Sequence, residues 1–139
     1  MFKKILVPVD LTDKHRQAVD IAADLAGSSR GEVTLLHVIE LIPGLPVEEE
    51  KEFYQRLQRK ARAHLDKLLD RLIQRQVTAR SEIILGNRTS EVIRFAQQTD
   101  TDLIVLTSHR IDLENPGAGW GSLSYKIGIL SQCPVLLVK

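Results

Sequence analysis

Two groups of polar side chains stand where this sequence could do chemistry, each directly after an apolar run. Asp10-Leu11-Thr12 follows Ile5-Leu-Val-Pro-Val9, and Thr107-Ser108-His109-Arg110 follows Leu103-Ile-Val-Leu106. The second group leads on to Gly117-Ala-Gly119-Trp120-Gly121-Ser122-Leu123, where a helix is expected to begin at about Ser122. Free N–H groups at a helix start, glycines that let a ligand approach the main chain, and a cation such as Arg110 or His109 are the groups that hold a phosphate. Asp10, at the end of its run, would accept hydrogen bonds from hydroxyls of a ligand, or equally would cap the turn into the first helix. The glycine loop has the same two-sided reading. Either its amides replace a phosphate cradle, with Arg110 or His109 adding charge, or Arg110 fills the phosphate's place and Pro116 with three glycines shapes a longer surface loop. Trp120 covers its own loop or a dimer contact before it stacks on a ligand's ring.

Several chemistries are excluded. The chain has no Gly-x-x-x-x-Gly-Lys-Ser/Thr loop and no Gly-x-Gly-x-x-Gly after its first apolar run, so it is neither a kinase-like nucleotide hydrolase nor a dinucleotide dehydrogenase. His15, His37, His64 and His109 occur singly, without metal-ligand spacing; His37 is read as a strand residue and His64 as a helix-face residue. Ser122 lacks the Gly-x-Ser-x-Gly elbow and an obvious base. A doubly wound phosphoacceptor domain would end its third strand on a carboxylate, where this chain has Gly86-Asn87. With neither nucleophile nor base to name, the expectation is a protein that is not an enzyme.

The elements that must position these residues follow from hydrophobic periodicity. Residues 5–9 and Val33-Thr-Leu-Leu-His-Val-Ile39 are continuous apolar runs, the pattern of strands covered on both faces. Between them, Thr12 or Asp13 is expected to cap a helix with Ala18, Ile21, Ala22 and Leu25 inward and Gly27 as its stop. A long helix is predicted over about 47–76, with Phe53, Leu57, Ala61, Leu65, Leu68 and Leu72 on one stripe and a solvated charged face opposite. Glu48-Glu49-Glu50 at its start and Arg71 and Arg75 near its end suit the helix dipole. Residues 78–85 alternate as an edge strand would, Thr89 or Ser90 caps a third helix carrying Val92, Ile93 and Ala96, and residues 103–106 form the fourth strand. A short helix over about 122–130 precedes a fifth strand led by Pro134.

Five strands alternating with helices require an α/β fold: one open, twisted, parallel sheet with right-handed crossovers and helices on both faces. With the alternating third strand and the Pro-led fifth at the edges, the order is 3-2-1-4-5. A ligand then sits above the carboxyl ends of strands 1 and 4, which brings Asp10 to Thr107-Ser108-His109-Arg110.

At 139 residues the chain is read as one domain, 1–139. Its net charge of +1, from 19 Lys and Arg against 18 Asp and Glu, supplies no global field toward nucleic acid or anionic membrane. The single Cys133 reads as a packed residue in a reducing compartment. The first apolar run is too short for a signal peptide, and no run approaches the roughly 20 residues that span a bilayer, so a cytoplasmic protein is expected.

Several blocks of the sequence resemble the universal stress protein family. They are Lys3-Lys-Ile-Leu-Val-Pro-Val-Asp10, His15-x-x-Ala18-x-x-x-Ala22, Leu35-Leu-His-Val-Ile39, Asp102-Leu-Ile-Val-Leu106, Gly121-Ser122 and Cys133-Pro-Val-Leu-Leu-Val138, in family order over nearly the full chain. The resemblance implies an adenine-nucleotide alpha hydrolase-like fold, a homodimer paired through the last strand (Val135 to Val138), and a site for ATP (with Mg²⁺) or AMP. Family position places Val9, Asp10 and Val38 on the nucleoside side, and Thr107, Ser108, His109, Arg110, Gly119, Gly121, Ser122 and Leu123 on the phosphate side. The ATP-binding subgroup resembles Gly-x-x-Gly, nine residues, then Gly-Ser or Gly-Thr. This chain departs from it, with Thr107 and Arg110 at the first two glycines and ten residues before Gly121-Ser122. If the first glycine serves a positive φ, the β-branched Thr107 is poorly suited to its place. The implied function is a stress-response domain that binds adenine nucleotide weakly or conditionally, with a genuine ATP-binding module of slow or no hydrolysis as the alternative.

Overall fold

The computed structural model describes residues 1–109, 113–114 and 122–139. Strands β1 (Lys4–Pro8), β2 (Glu32–Ile39), β3 (Thr78–Leu85), β4 (Leu103–Thr107) and β5 (Val135–Val138) alternate with helices α1 (Arg16–Ser29), α2 (Lys51–Gln74), α3 (Arg88–Gln98) and α4 (Leu123–Leu130). All strand pairs are parallel, in the order β3-β2-β1-β4-β5. The expected sheet, strand order and edges are therefore observed.

The continuous apolar runs divide their side chains between two cores, as a sheet covered on both faces requires. Ile5, Val7 and Val9 of the first run join Val33, Leu35 and Val105 beneath α1 and α2, packed on Ala18, Ala22, Leu65 and Leu72. Leu6, Leu36, Val38, Ile104 and Leu106 face the other way, onto Val92 and Ala96 of α3 and Ile127 of α4.

Three helices have boundaries that differ from expectation. Gly27 does not stop α1: the helix continues to Ser29 and ends on Arg30 in the left-handed region (φ 56°), whose N–H returns to the Ala26 carbonyl. The glycine that matters follows at Gly31, where an added Cβ would lie 2.8 Å from the Lys3 backbone and 2.9 Å from the Phe2 carbonyl oxygen. Bare backbone is needed there because the chain enters β2 against the start of β1. At α3 the cap is Asn87, one turn ahead of Ser90, whose N–H its side chain accepts at 3.0 Å; neither Thr89 nor Ser90 is the cap. The long helix begins at Lys51, after Glu48-Glu49-Glu50, and ends at Gln74, so Arg75 is its last capping residue. On its exposed charged face Arg71 grips Asp20 of α1 with two bonds (2.7 and 2.8 Å) and Arg75 pairs with Asp24.

Candidate functional site

The loops after β1 and β4 meet at one end of the sheet, at the point where the chain's progress from strand to strand reverses direction. A cleft of about 470 Å³ opens there, within the range of about 300–1,000 Å³ usual for small-molecule sites. Its floor and apolar wall are Val9, Leu36, Val38, Val92 and Leu106, and its polar rim includes Asp10, His15, Thr107, Ser108, Ser122 and Lys139. Of the expected site residues, Val9, Asp10, Val38, Thr107, Ser108, His109, Ser122 and Leu123 line this cleft together. Arg110, Gly119 and Gly121 lie outside the described residues, as does Trp120. Val9 and Val38 are also core residues, buried among the strands.

Asp10 takes the turn role read for it and also lines the cleft. Its Oδ1 accepts the Thr12 N–H at 2.9 Å and the Thr12 hydroxyl at 2.5 Å, so it fixes the turn out of β1 while it lines the cleft. The side chain of Thr12 caps nothing. Burial alone would raise the Asp10 carboxyl, but the bonds from Thr12 and His15 outweigh it and hold the group well below the usual carboxylate range. Asp10 is therefore an anion at neutral pH.

Sequence reasoning missed the residue that joins the two halves of the site. His15 is 5% exposed, with Nε2 2.8 Å from Asp10 Oδ1 and Nδ1 3.0 Å from the Thr107 hydroxyl. The Asp10 backbone N–H also reaches Nε2, at 3.0 Å. Burial keeps the ring below its ordinary pKa despite the pull of Asp10, so it is neutral at pH 7. The neutral tautomer that satisfies both side chains donates Nε2–H to Asp10 Oδ1 and accepts the Thr107 O–H at Nδ1; only in the other tautomer does Nε2 accept the Asp10 N–H, with Nδ1–H donated to Thr107. The strand order brings the segments after β1 and β4 together, and His15 heads one of the family blocks, but nothing in the local spacing links it to a residue 92 positions away. His37 is the buried strand residue expected, donating Nδ1–H to the Val9 carbonyl at 2.9 Å, and burial lowers its pKa as well. His64 sits half-buried on α2.

Thr107 corrects an expectation. It is the last residue of β4, paired with Val138, and is not among the residues with positive φ. A β-branched residue suits that extended backbone, so its side chain replaces a glycine here without conformational strain. Beyond it, Ser122 caps α4 by accepting the Tyr125 N–H at 3.3 Å. Ser124 Oγ lies 3.1 Å from Ser108 Oγ and 3.2 Å from Ser122 Oγ, and Lys139 Nζ donates to Ser108 Oγ at 3.3 Å and to the His109 carbonyl at 3.2 Å. The rim on this side thus offers hydroxyls, a helix start and an ammonium, a donor set that fits an anion. Among the described residues no group of three His, Cys, Asp or Glu side chains converges on a metal position.

Comparison with known proteins settles the family, since the profile of the Universal stress protein family matches residues 1–139. The chain belongs to the universal stress protein family. It is 29% identical over 143 residues to Universal stress protein MJ0531 of Methanocaldococcus jannaschii, covering 100% of this chain and 83% of that one. The solved structure of hypothetical protein MJ0577 superposes with a TM-score of 0.83 at 28% identity, over 100% of this chain and 96% of that one. The universal stress protein of Archaeoglobus fulgidus, solved in complex with dAMP, shares the fold at a TM-score of 0.75 and 17% identity, with both chains covered completely. These neighbours carry the adenine-nucleotide alpha hydrolase-like universal stress protein fold that the sheet order defines here.

Proposed function

We propose that this universal stress protein is a non-enzymatic stress-response domain that takes an adenine nucleotide in the cleft above β1 and β4. The carrying observation is the arrangement of the cleft itself: an apolar wall of Val9, Val38 and Leu106, an ionised Asp10 at one side, and Ser108, Ser122 and Lys139 at the other. The wall accepts a base, the carboxylate a ribose hydroxyl, and the opposite rim a phosphate. The dAMP complex of the Archaeoglobus fulgidus relative supports this ligand class. Binding is weak or conditional in this reading, because no glycine stands at positions 107 and 110 to admit a phosphate chain to the backbone. The alternative, a dedicated ATP module that hydrolyses slowly or not at all, draws on the same cleft, with Mg²⁺ arriving on the phosphates of ATP. No described helix is long and apolar enough to cross a membrane, and a cytoplasmic location is part of the proposal. No nucleic-acid partner is proposed. A homodimer through β5 is favoured by an edge strand that leaves Leu136 and Leu137 exposed beside Ile129 and Leu130 of α4.

The test is mass spectrometry of the purified protein for bound nucleotide, with calorimetric titration of AMP and of ATP with Mg²⁺. Millimolar or tighter binding of AMP supports the reading. ATP binding tighter than AMP by tenfold or more favours the alternative, and no binding of either nucleotide refutes both. Release of phosphate from ATP above the blank, lost in Asp10→Asn, would overturn the non-enzymatic assignment.

A further inference from the structure

The two oxygens of Asp10 are used unequally. Oδ1 is saturated by the Thr12 N–H, the Thr12 hydroxyl and His15 Nε2, at 2.9, 2.5 and 2.8 Å. Among the described residues Oδ2 meets only Lys14 Nζ at 3.2 Å, and the Lys14 side chain is 59% exposed and free to leave. Such an exposed ion pair contributes little, so a ligand displaces it at small cost. What fixes the carboxylate in this orientation is the ring of His15, and what fixes the ring is the Thr107 hydroxyl, 3.0 Å from Nδ1 on the far side of the cleft floor. Thr107 stands at the position of a glycine in the ATP-binding pattern. The substitution therefore supplies a hydroxyl as well as a Cβ.

We propose that His15, anchored by Thr107, is a positioning residue that turns Asp10 so that Oδ2 alone is offered to the cleft, and that this selects ligands bringing a hydroxyl donor, the diol of a ribonucleotide. The inference rests on the adenine-nucleotide reading for its ligand and on the bonds of the unliganded protein for its geometry. A site built around one buried-edge carboxylate rejects an analogue without the donor, because Oδ2 has given up Lys14 and water and gains nothing in return. Thr107→Val keeps the shape of the side chain and removes the anchor; Thr107→Ser keeps the hydroxyl; His15→Phe keeps a planar ring and removes both nitrogens.

The experiment compares AMP with 2′,3′-dideoxy-AMP by calorimetry on the wild type and these three variants. The wild type and Thr107→Ser are expected to prefer AMP by about tenfold or more, the ordinary worth of a hydrogen bond to a charged group. In Thr107→Val and His15→Phe that ratio falls to about threefold or less. A ratio kept in both, or an equal loss for both nucleotides, overturns the proposal. If the wild type binds neither nucleotide, the adenine reading fails and the positioning is decided without ligand. The carboxyl carbon of Asp10, followed by NMR as pH is lowered, must then titrate at higher pH in His15→Phe and Thr107→Val than in the wild type and Thr107→Ser. An unchanged midpoint removes His15 from the role.

Discussion

Gly27 and Gly31 lie four residues apart and respond oppositely to the same added methyl. Gly27 is on the exposed side of α1, with nothing within 4 Å of a Cβ built on it, and its φ is not positive. Alanine there restores helix propensity of about 0.8–1 kcal/mol. For a chain of 139 residues, unfolding entropy is about 0.29 kcal/mol/K at about 2.1 cal/mol/K per residue, so each kcal/mol moves the melting temperature by about 3 °C. Gly27→Ala should raise it by about 3 °C. At Gly31 the added atom would meet three backbone atoms of Phe2 and Lys3 at 2.8–2.9 Å, and no rotamer change can relieve a backbone clash. Overpacking of this kind costs about 1–3 kcal/mol, so Gly31→Ala should lower the melting temperature by about 3–10 °C. Thermal unfolding followed by circular dichroism at 222 nm measures both. A lower melting temperature for Gly27→Ala would refute a helix that runs through residue 27, and a neutral Gly31→Ala would refute the close approach of the first turn of β2 to β1.

Three further outcomes follow from contacts already described. Asn87→Ala removes the cap of α3 and should cost about 1 kcal/mol, seen as a melting point about 3 °C lower. His15 and His37 have folded pKa values depressed by burial, so the unfolded chain takes up protons first as pH falls. Stability should therefore decline below about pH 6.5, the ordinary histidine value, with a smaller slope in His15→Phe. A further loss is expected below about pH 4, where the Asp10 and Asp20 carboxyls protonate in the unfolded chain but stay ionised in the fold; chemical denaturation across pH 3–8 reads the histidine loss and the onset of this one. Leu137→Glu puts a charge on the exposed apolar edge at β5, and the proposed dimer should dissociate in sedimentation velocity while the melting point of the domain changes by less than about 2 °C.

The sheet was legible because its strands are apolar runs whose lengths and flanks leave few alternatives, and because a parallel α/β topology with one alternating strand and one Pro-led strand has an economical order. That order alone brought Asp10 to Thr107 and Ser108. What stayed hidden depends on tertiary contact. His15 reads as an ordinary polar residue at a helix start until β4 places a hydroxyl beside its ring. Tyr54, absent from the stripe of α2, is buried because its hydroxyl accepts the Ile42 N–H at 3.0 Å and donates to the Leu45 carbonyl at 2.6 Å, tying the connection from β2 to the helix. Gly27 looked like a stop since glycine commonly ends helices, but the left-handed residue is Arg30. Arg71 and Arg75, placed by their helix-end positions, find their carboxylates on α1, a partner that no single-helix pattern contains.

Strand β1 is held at both ends by groups outside the sheet. At its start the Lys3 and Lys4 amides donate to the Asp102 carboxylate, at 2.8 and 3.1 Å, and at its far end His37 donates to the Val9 carbonyl. With neighbours on both sides and Ile5, Leu6 and Val7 at no more than 1% exposure, its amides have no local route to solvent. The Ile5, Leu6 and Val7 amides should exchange with deuterium only when the whole domain opens, and their exchange free energy should equal the global unfolding free energy. The floor of the cleft is then a fixed datum, against which slower or faster exchange in α4 and β5 can be measured when ligand is added.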